Sequence, residues 1–277
     1  MCWTELSLAR GVSRMRPRDG MGKGCRVVLL LLCAGVLVTG CSAAAQIRAG
    51  MQAESAYQEG LRLYRAKDYV RAVPSFQQAL ALQPDHDDAE ALLAWSNYYI
   101  GNYADATRHF RQVLVRKPNW EGLHNGLGWS RYRVARYHLA LESFRQALAL
   151  DARFRDAGVG YAYSLFELGR YAEAQPQLER LTREGEGGAF QSPLSDVEDV
   201  RSRYAWTLFY LGDYDKARQQ FTKGIAARPG WSGLHNGLGW TLLRLGDKAQ
   251  ARQSFERAVQ LNPDFLDAKD GLAQIRP

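Results

Sequence analysis

The strongest constraint on the fold is an Ala-Phe-Pro pattern that recurs along most of the chain. It occurs in full at Ala72/Phe76/Pro84, Ala106/Phe110/Pro118, Ala217/Phe221/Pro229 and Ala251/Phe255/Pro263. Two further copies, Ala140/Phe144 and Ala174/Leu178, lack the proline. Successive alanines are evenly spaced, except that the step from Ala174 to Ala217 is longer by nine positions. Self-similarity at a fixed period of some tens of residues is typical of a solenoid, in which each copy is one supersecondary unit.

Each copy predicts two helices. Apolar or small residues recur at the fourth, seventh, eighth and eleventh places of the first segment, which is a helical period. The tripeptides GNY, GRY and GDY, which begin at Gly101, Gly169 and Gly212, then separate the segments. Glycine there can take the left-handed conformation that ends a helix, and the later proline stops the second helix. A single pair of helices cannot bury its own apolar face, so the copies must stack.

The period and the pattern resemble the tetratricopeptide repeat, a helix-turn-helix unit of about 34 residues. The resemblance covers residues 53–265. It implies an all-α fold, a right-handed superhelix (α-solenoid) of six repeats with a C-terminal capping helix at 266–277. The expected repeats are 53–86, 87–120, 121–154, 155–197 with a loop insertion, 198–231 and 232–265. The insertion lies within residues 182–199, which we expect to be a surface loop. Phe190 and Leu194 would alternatively make it a second partner contact.

The N-terminal segment predicts export. Residues 27–38 are twelve apolar residues after Lys23 and Arg26, and as a helix they would span roughly 18 Å, less than the ~30 Å hydrocarbon core. They end in Val38-Thr39-Gly40-Cys41, which resembles the lipobox of bacterial lipoproteins. The resemblance implies a signal peptide at 1–40, lipidation at Cys41, a tether at 41–52 and an outer-membrane lipoprotein facing the periplasm. An uncleaved short anchor is the alternative.

Charge and chemistry argue against nucleic-acid binding and catalysis. Residues 1–40 hold six of the 36 Lys and Arg and two of the 29 acids, so the remainder carries only +3 of the net +7 charge, without a basic run. All cysteines lie at or before Cys41, and the histidines lack metal-ligand spacing. No nucleophile accompanies a histidine base. We therefore expect no enzyme, no metal and no cofactor.

The octet GLHNGLGW occurs twice, at residues 122–129 and 233–240. The separation of the two octets equals three repeats plus the nine extra positions, which indicates that repeats two and three were duplicated as a block into repeats five and six. Both octets occupy places 2 to 9, counting from the first residue of each repeat. His124 and His235 fall at place 4, where we expect core packing.

The candidate binding residues follow from the resemblance, which implies that places 2, 5, 6, 9, 12 and 13 line a concave groove. Place 9 carries aromatic rings at Trp95, Trp129, Tyr163, Trp206 and Trp240. Polar and aromatic neighbours are Asn125, Asn236, Arg133, Arg203, Arg244 and Tyr132, with Glu167 as an opposed acid. The rings either pack between neighbouring first helices or bind a ligand. Glycines at places 2 and 6 cost ~1 kcal/mol each in a helix, which favours close approach of a backbone or ring there.

These features together predict a non-enzymatic, envelope-anchored adaptor. Its expected ligand is a partner protein or an extended peptide with apolar or proline side chains and some negative charge. Lipoproteins with this arrangement include pilotin-type factors for secretin or pilus assembly and scaffolds for cell-wall enzymes, and the sequence does not separate these. The alternative is a glycan- or peptidoglycan-binding module that uses the tryptophan ladder.

Overall fold

The computed structural model describes residues 45–186 and 196–275, and these residues form helices joined by short turns. The first helix, α1, spans residues 45–65. The others are α2 (Tyr69–Leu82), α3 (Asp87–Tyr99), α4 (Tyr103–Arg116), α5 (Glu121–Arg133), α6 (Tyr137–Leu150), α7 (Arg155–Glu167), α8 (Tyr171–Glu186), α9 (Val197–Tyr210), α10 (Tyr214–Ala227), α11 (Ser232–Arg244), α12 (Lys248–Leu261) and α13 (Leu266–Ile275). The all-α solenoid predicted from the sequence is confirmed.

The helices stack in chain order. From α2 onward, each helix packs against the next, and the first helices of neighbouring repeats, from α3 to α13, also contact one another. The turn between the two helices of a repeat always contains a left-handed residue at place 15. It is Gly101, Gly169, Gly212 and Gly246, with φ of 89°, 70°, 83° and 87°, and Lys67 and Ala135 in repeats one and three. The left-handed turn glycines predicted from the sequence are therefore confirmed.

The core lies between the two helices of each repeat and between repeats. The recurring Ala and Phe of the second helices are fully buried, as at Ala106, Phe110 and Phe221. The structure corrects which place of the first helices packs into the core. Place 3 is buried, at Leu123 and Leu234, whereas His124 at place 4 is only half-buried. The place-4 histidines bind backbone instead, with His124 Nε2 2.8 Å from the Pro118 carbonyl oxygen and His235 Nε2 2.9 Å from that of Pro229.

Two segments predicted as irregular are partly helical. Residues 45–52 of the expected tether belong to α1, because most of them are Ala, Gln, Arg or Met, which have high helix propensity. In the expected loop 182–199, α8 continues to Glu186, and Asp196 caps α9. Asp196 accepts from the backbone of Asp199, whose side chain accepts from the Asp196 backbone. This capping box fixes the start of α9.

Several predictions lie outside the described residues. They are the signal peptide 1–40, the lipidated Cys41 and the contact residues Phe190 and Leu194 of the insertion. Within the described ranges, no helix is long and apolar enough to cross a membrane.

Candidate binding surface on the first helices

Each octet forms the same aspartate-centred cluster with the next repeat. Asp156 Oδ2 accepts hydrogen bonds from Asn125 Nδ2 at 2.6 Å and from Trp129 Nε1 at 2.9 Å. In the second octet, Asp267 Oδ2 accepts from Asn236 Nδ2 at 2.6 Å and from Trp240 Nε1 at 3.0 Å. The aspartate lies at place 2 of the following first helix, so each cluster joins two units of the stack.

These contacts correct the expectation that every candidate residue faces a ligand. Trp129 is 3% exposed, Tyr163 is 4% exposed, and Asn125 and Asn236 are 2% exposed. Trp129 Nε1 and the Nδ2 groups of Asn125 and Asn236 donate to an aspartate of the next unit, so these residues stabilise the junctions between repeats. The packing interpretation left open above therefore applies to them. Trp240, near the end of the stack, is only half-buried.

The glycines of the octets make room for rings of the core. A Cβ added to Gly126 would lie 2.3 Å from the Phe110 ring, and one added to Gly237 would lie 2.3 Å from the Phe221 ring. No side chain fits at these distances without displacing a buried ring. The close approach expected at place 6 is therefore made by the protein's own phenylalanine, and it provides no evidence for a ligand.

Trp95 and Trp206, one block apart, are the less constrained place-9 rings. Both are half-buried, and neither indole donates a hydrogen bond to any residue in 45–186 or 196–275. Trp95 stacks on Tyr99 with ring centroids 5.9 Å apart, and Trp206 stacks on Tyr210 at the same 5.9 Å. Their partly exposed rings are available for contact from solvent.

A third ring extends each of these stacks. Tyr69 lies 4.5 Å from Tyr99 at an interplanar angle of 20°, and Tyr171 lies 4.5 Å from Tyr210 at 15°. The middle residue of the second stack, Tyr210, is 51% exposed. Each stack is therefore a flat aromatic surface contributed by two adjacent repeats, a type of surface that binds partners with little loss of side-chain entropy.

Arg203 lies at the centre of the first-helix surface and joins repeats three, four and five. Its guanidinium lies 3.9 Å from the centroid of the Tyr163 ring and donates to Tyr132 Oη at 3.0 Å and to Glu167 Oε1 at 3.2 Å. Tyr132 also donates to Glu167 at 2.8 Å. Burial raises the pKa of Tyr132, so its hydroxyl stays protonated and able to donate. The central cluster is thus internally paired.

Arg133 and Arg244, the other predicted cations, are exposed and stack on rings. Arg133 lies 5.2 Å from the centroid of Tyr103, and Arg244 lies 4.9 Å from that of Tyr214. Among the residues with described placement, neither arginine forms an ion pair. Their charges are therefore available at the surface, one in each copy of the block.

Two open pockets flank the central cluster. The first has a volume of about 450 Å³, with Tyr57, Tyr64, Asp88, Trp95, Trp120 and Gly122 in its wall. The second has a volume of about 410 Å³, with Trp206, Tyr210, Trp240, Leu243, Asp267 and Gln274 in its wall. Both are within the size range of small-molecule and side-chain sites.

Sequence reasoning missed the acids of this surface. Besides the predicted Glu167, Asp88, Asp156 and Asp267 occupy place 2 of their first helices or, for Asp267, of the capping helix, and lie beside the rings. The predicted preference for a negatively charged ligand therefore loses its support, because Asp88 and Asp267 line the two open pockets and Asp267 shares its pocket with Arg244. Place 2 belongs to the same groove positions, so the repeat register contained the signal.

Comparison with protein families identifies the chain. Models described as tetratricopeptide repeat match residues 63–127, 135–192 and 204–264, together well over half of the chain. The chain is a tetratricopeptide repeat protein. Such proteins are generally scaffolds for protein–protein interaction and are typically non-enzymatic adaptors. No curated protein sequence matches this tetratricopeptide repeat protein.

Solved structures show the same fold. The Pseudomonas aeruginosa pilF structure is 18% identical with a TM-score of 0.64, covering 82% of this chain and 99% of that one. YrrB, described as having an unusual peptide-binding site, is 18% identical with a TM-score of 0.59, covering 70% and 96%. MamA AMB-1 is 19% identical with a TM-score of 0.55, covering 64% and 98%. At these identities the similarity concerns the fold alone.

The described part of this tetratricopeptide repeat protein contains no group of His, Cys, Asp and Glu that could hold a metal. His109 is the buried histidine, and its Nδ1 lies 3.3 Å from Glu90 Oε1. Arg116 donates to the other oxygen of Glu90 at 2.7 Å. This histidine pairs with a carboxylate that an arginine already neutralises, and the arrangement joins α3 to α4.

Proposed function

We propose that the protein is a non-enzymatic adaptor that binds a partner protein along its first-helix surface. The observation that carries this proposal is the pair of open, aromatic-walled pockets at the two ends of that surface, separated by an internally paired cluster. Half-exposed Trp and Tyr rings give a large contact area with few torsions to immobilise. Two pockets on one face suit a partner that extends across several repeats.

We further propose that the protein is lipidated at Cys41 and held at the outer membrane, facing the periplasm. Diacylation with an additional chain anchors a protein without a spanning helix. The adaptor would then act in assembly of an envelope complex, such as a secretin, a pilus or the cell-wall machinery. The lipobox-like sequence at residues 38–41 supports this location.

Site-specific photo-crosslinking tests the binding surface. Benzoylphenylalanine replaces Tyr99 or Tyr210, one at each aromatic stack, in cells that naturally carry the protein. The matched control replaces Val115, which is 84% exposed on the second helix α4. We expect the same crosslinked protein from positions 99 and 210 and none from position 115. Equal crosslinking at all three positions would contradict the proposal.

Membrane fractionation tests the anchor separately. Cys41→Ser should move the protein from the membrane fraction to the soluble fraction and abolish incorporation of labelled palmitate. A variant that keeps its label and its membrane association would show that Cys41 is not the lipidation site.

The glycan-binding alternative predicts a different result. Fragments of peptidoglycan should then shift the tryptophan fluorescence, and crosslinking from positions 99 and 210 should capture no protein. Both outcomes together would replace the adaptor proposal with glycan binding.

A further inference from the structure

The duplicated block contains two copies of one site. In the structure, side chains fill one copy and the other copy is open. We define the N-terminal copy as residues 87–163 and the C-terminal copy as residues 198–274, aligned so that Trp129 matches Trp240. The residues around the 410 Å³ pocket belong to the C-terminal copy. The aligned residues of the N-terminal copy include two tryptophans, a tyrosine, an arginine and an aspartate, as the C-terminal copy does. Two pairs differ in kind: Tyr132 aligns with Leu243, and Tyr163 aligns with Gln274.

In the N-terminal copy, the two tyrosines fill the space beside the tryptophan. The Tyr163 ring meets Trp129 edge-on, with centroids 6.3 Å apart and an interplanar angle of 89°. The Tyr132 ring meets it at 5.6 Å and 76°. Trp129 is 3% exposed as a result. Edge-to-face contacts at these distances are a preferred geometry of aromatic pairs.

In the C-terminal copy, both rings are missing. Leu243 is aliphatic, and Gln274 is exposed on the last helix, α13. Trp240 keeps its hydrogen bond to Asp267 but remains half-buried beside the 410 Å³ cavity. An aspartate therefore holds the indole in the same way in both copies. Only the Trp129 indole has a tyrosine ring, that of Tyr163, against it.

We infer that this pocket receives an aromatic side chain, a tyrosine or phenylalanine, from the partner protein, in the position on Trp240 that Tyr163 occupies on Trp129. The inference deepens the adaptor proposal and rests on it. The closed copy shows the chemistry of the occupant, a phenol ring that meets the indole edge-on. A sugar ring would instead stack parallel to the indole, so the internal occupant favours an aromatic residue over a glycan.

Fluorine NMR of the full-length protein, purified in detergent and labelled with 5-fluorotryptophan, tests this pocket directly. The probes are an acetylated, amidated heptapeptide Ser-Gly-Ser-Tyr-Ser-Gly-Ser, its leucine counterpart, and chitobiose. We expect the tyrosine peptide to give saturable shifts at Trp206 and Trp240. Its affinity should exceed that of the leucine peptide by between about twofold and about tenfold, the range that an aromatic pair contributes. Trp129 should not respond.

Two reciprocal variants make the test specific. Gln274→Tyr supplies the ring of the closed copy from an exposed position, and it should abolish the shifts while the melting temperature stays at or above that of the wild type. Tyr163→Gln opens the N-terminal copy, and Trp129 should then respond to the tyrosine peptide. If Tyr163→Gln does not fold, Leu243→Tyr serves as a second closing variant.

The inference is overturned if the tyrosine peptide gives no saturable shift, if Gln274→Tyr responds like the wild type, or if chitobiose alone shifts Trp240. Crosslinking from positions 99 and 210 separates this result from the wider proposal. A protein captured there, together with no response to the tyrosine peptide, would leave the adaptor function in place and remove only the aromatic subsite.

Discussion

The N-terminal and C-terminal copies of the duplicated block share the residues that hold the stack and differ in the residues that fill the pockets. Both copies keep the aspartate-centred cluster, the place-6 glycine that contacts a buried phenylalanine ring, and the stacked Trp-Tyr pair. They differ at Leu92 and Arg203, which align at place 6. Leu92 lines the open 450 Å³ pocket, whereas Arg203 occupies the corresponding place with a paired guanidinium. The shared residues therefore hold the stack, and differences at the pocket positions decide which pockets are open.

Position in the stack adds a second difference between the copies. Asp156 is 6% exposed because repeat five packs beyond it. Asp267 lies on α13, the last described helix, and is exposed. The asparagine is buried in both clusters, but the aspartate and the tryptophan are buried only in the first, and water reaches the carboxylate of the second.

Removal of the two aspartates should give the largest contrast between the copies. Asp156→Ala leaves two buried donors, Asn125 Nδ2 and Trp129 Nε1, without an acceptor, and each costs about 1–3 kcal/mol. We expect a total loss of about 3 kcal/mol in the free energy of unfolding. Asp267→Ala should cost less than about 1 kcal/mol, because water replaces the carboxylate. Urea denaturation measures both, and equal losses would show that burial does not separate the clusters.

Alanine at the place-6 glycines should instead affect both copies alike. Gly126→Ala and Gly237→Ala each insert a methyl group against a fully buried phenylalanine ring, and overpacking of this kind costs about 1–3 kcal/mol. Gly122→Ala is the control, because its added Cβ would lie 3.5 Å from Trp120, an ordinary contact distance. A stabilising effect at Gly126 or Gly237 would mean that the ring can move aside and that the glycine is not required.

The sequence predicted the solenoid well because its period and its buried Ala-Phe pair are local patterns. The turn glycines followed from helix-termination chemistry, and the structure confirms both. The burial of Trp129 and Asn125 could not be predicted in the same way. It depends on Asp156 and on the ring of Tyr163, both of which lie in the following repeat. A groove position defined within one repeat does not say what the following repeats place over it.

Replacing the central cation should make the C-terminal copy resemble the N-terminal one. Arg203→Leu introduces leucine, the residue that the N-terminal copy has at the aligned position, Leu92. It also removes the contacts of Arg203 to Tyr163, Tyr132 and Glu167. These contacts are partly exposed and one guanidinium nitrogen is buried without a partner, so we expect a loss of only about 1 kcal/mol. Thermal denaturation in low and high salt measures it, and the loss should shrink in high salt. Arg133→Leu, which removes an exposed arginine without an ion pair, should cost less.

The smallest predicted difference between the copies concerns pH. His109 aligns with Gln220, so His109→Gln gives the N-terminal copy the residue of the C-terminal one. Burial lowers the pKa of His109, against the opposing effect of Glu90, while the nearby Arg108 lowers it further and Asp105 raises it. Arg116 also faces the pair, through Glu90.

In the unfolded chain, the His109 pKa is near its ordinary value of about 6.5. The unfolded state therefore binds a proton at a higher pH than the folded state does, and stability falls as pH drops below about 6.5 towards the folded pKa. The wild type should lose more stability than His109→Gln between about pH 7.5 and about pH 5.5. Urea denaturation at both values measures this, with His138→Gln at an exposed position as the control. If the wild type and His109→Gln lose the same stability, the His109–Glu90 pair does not make the N-terminal copy the pH-sensitive one.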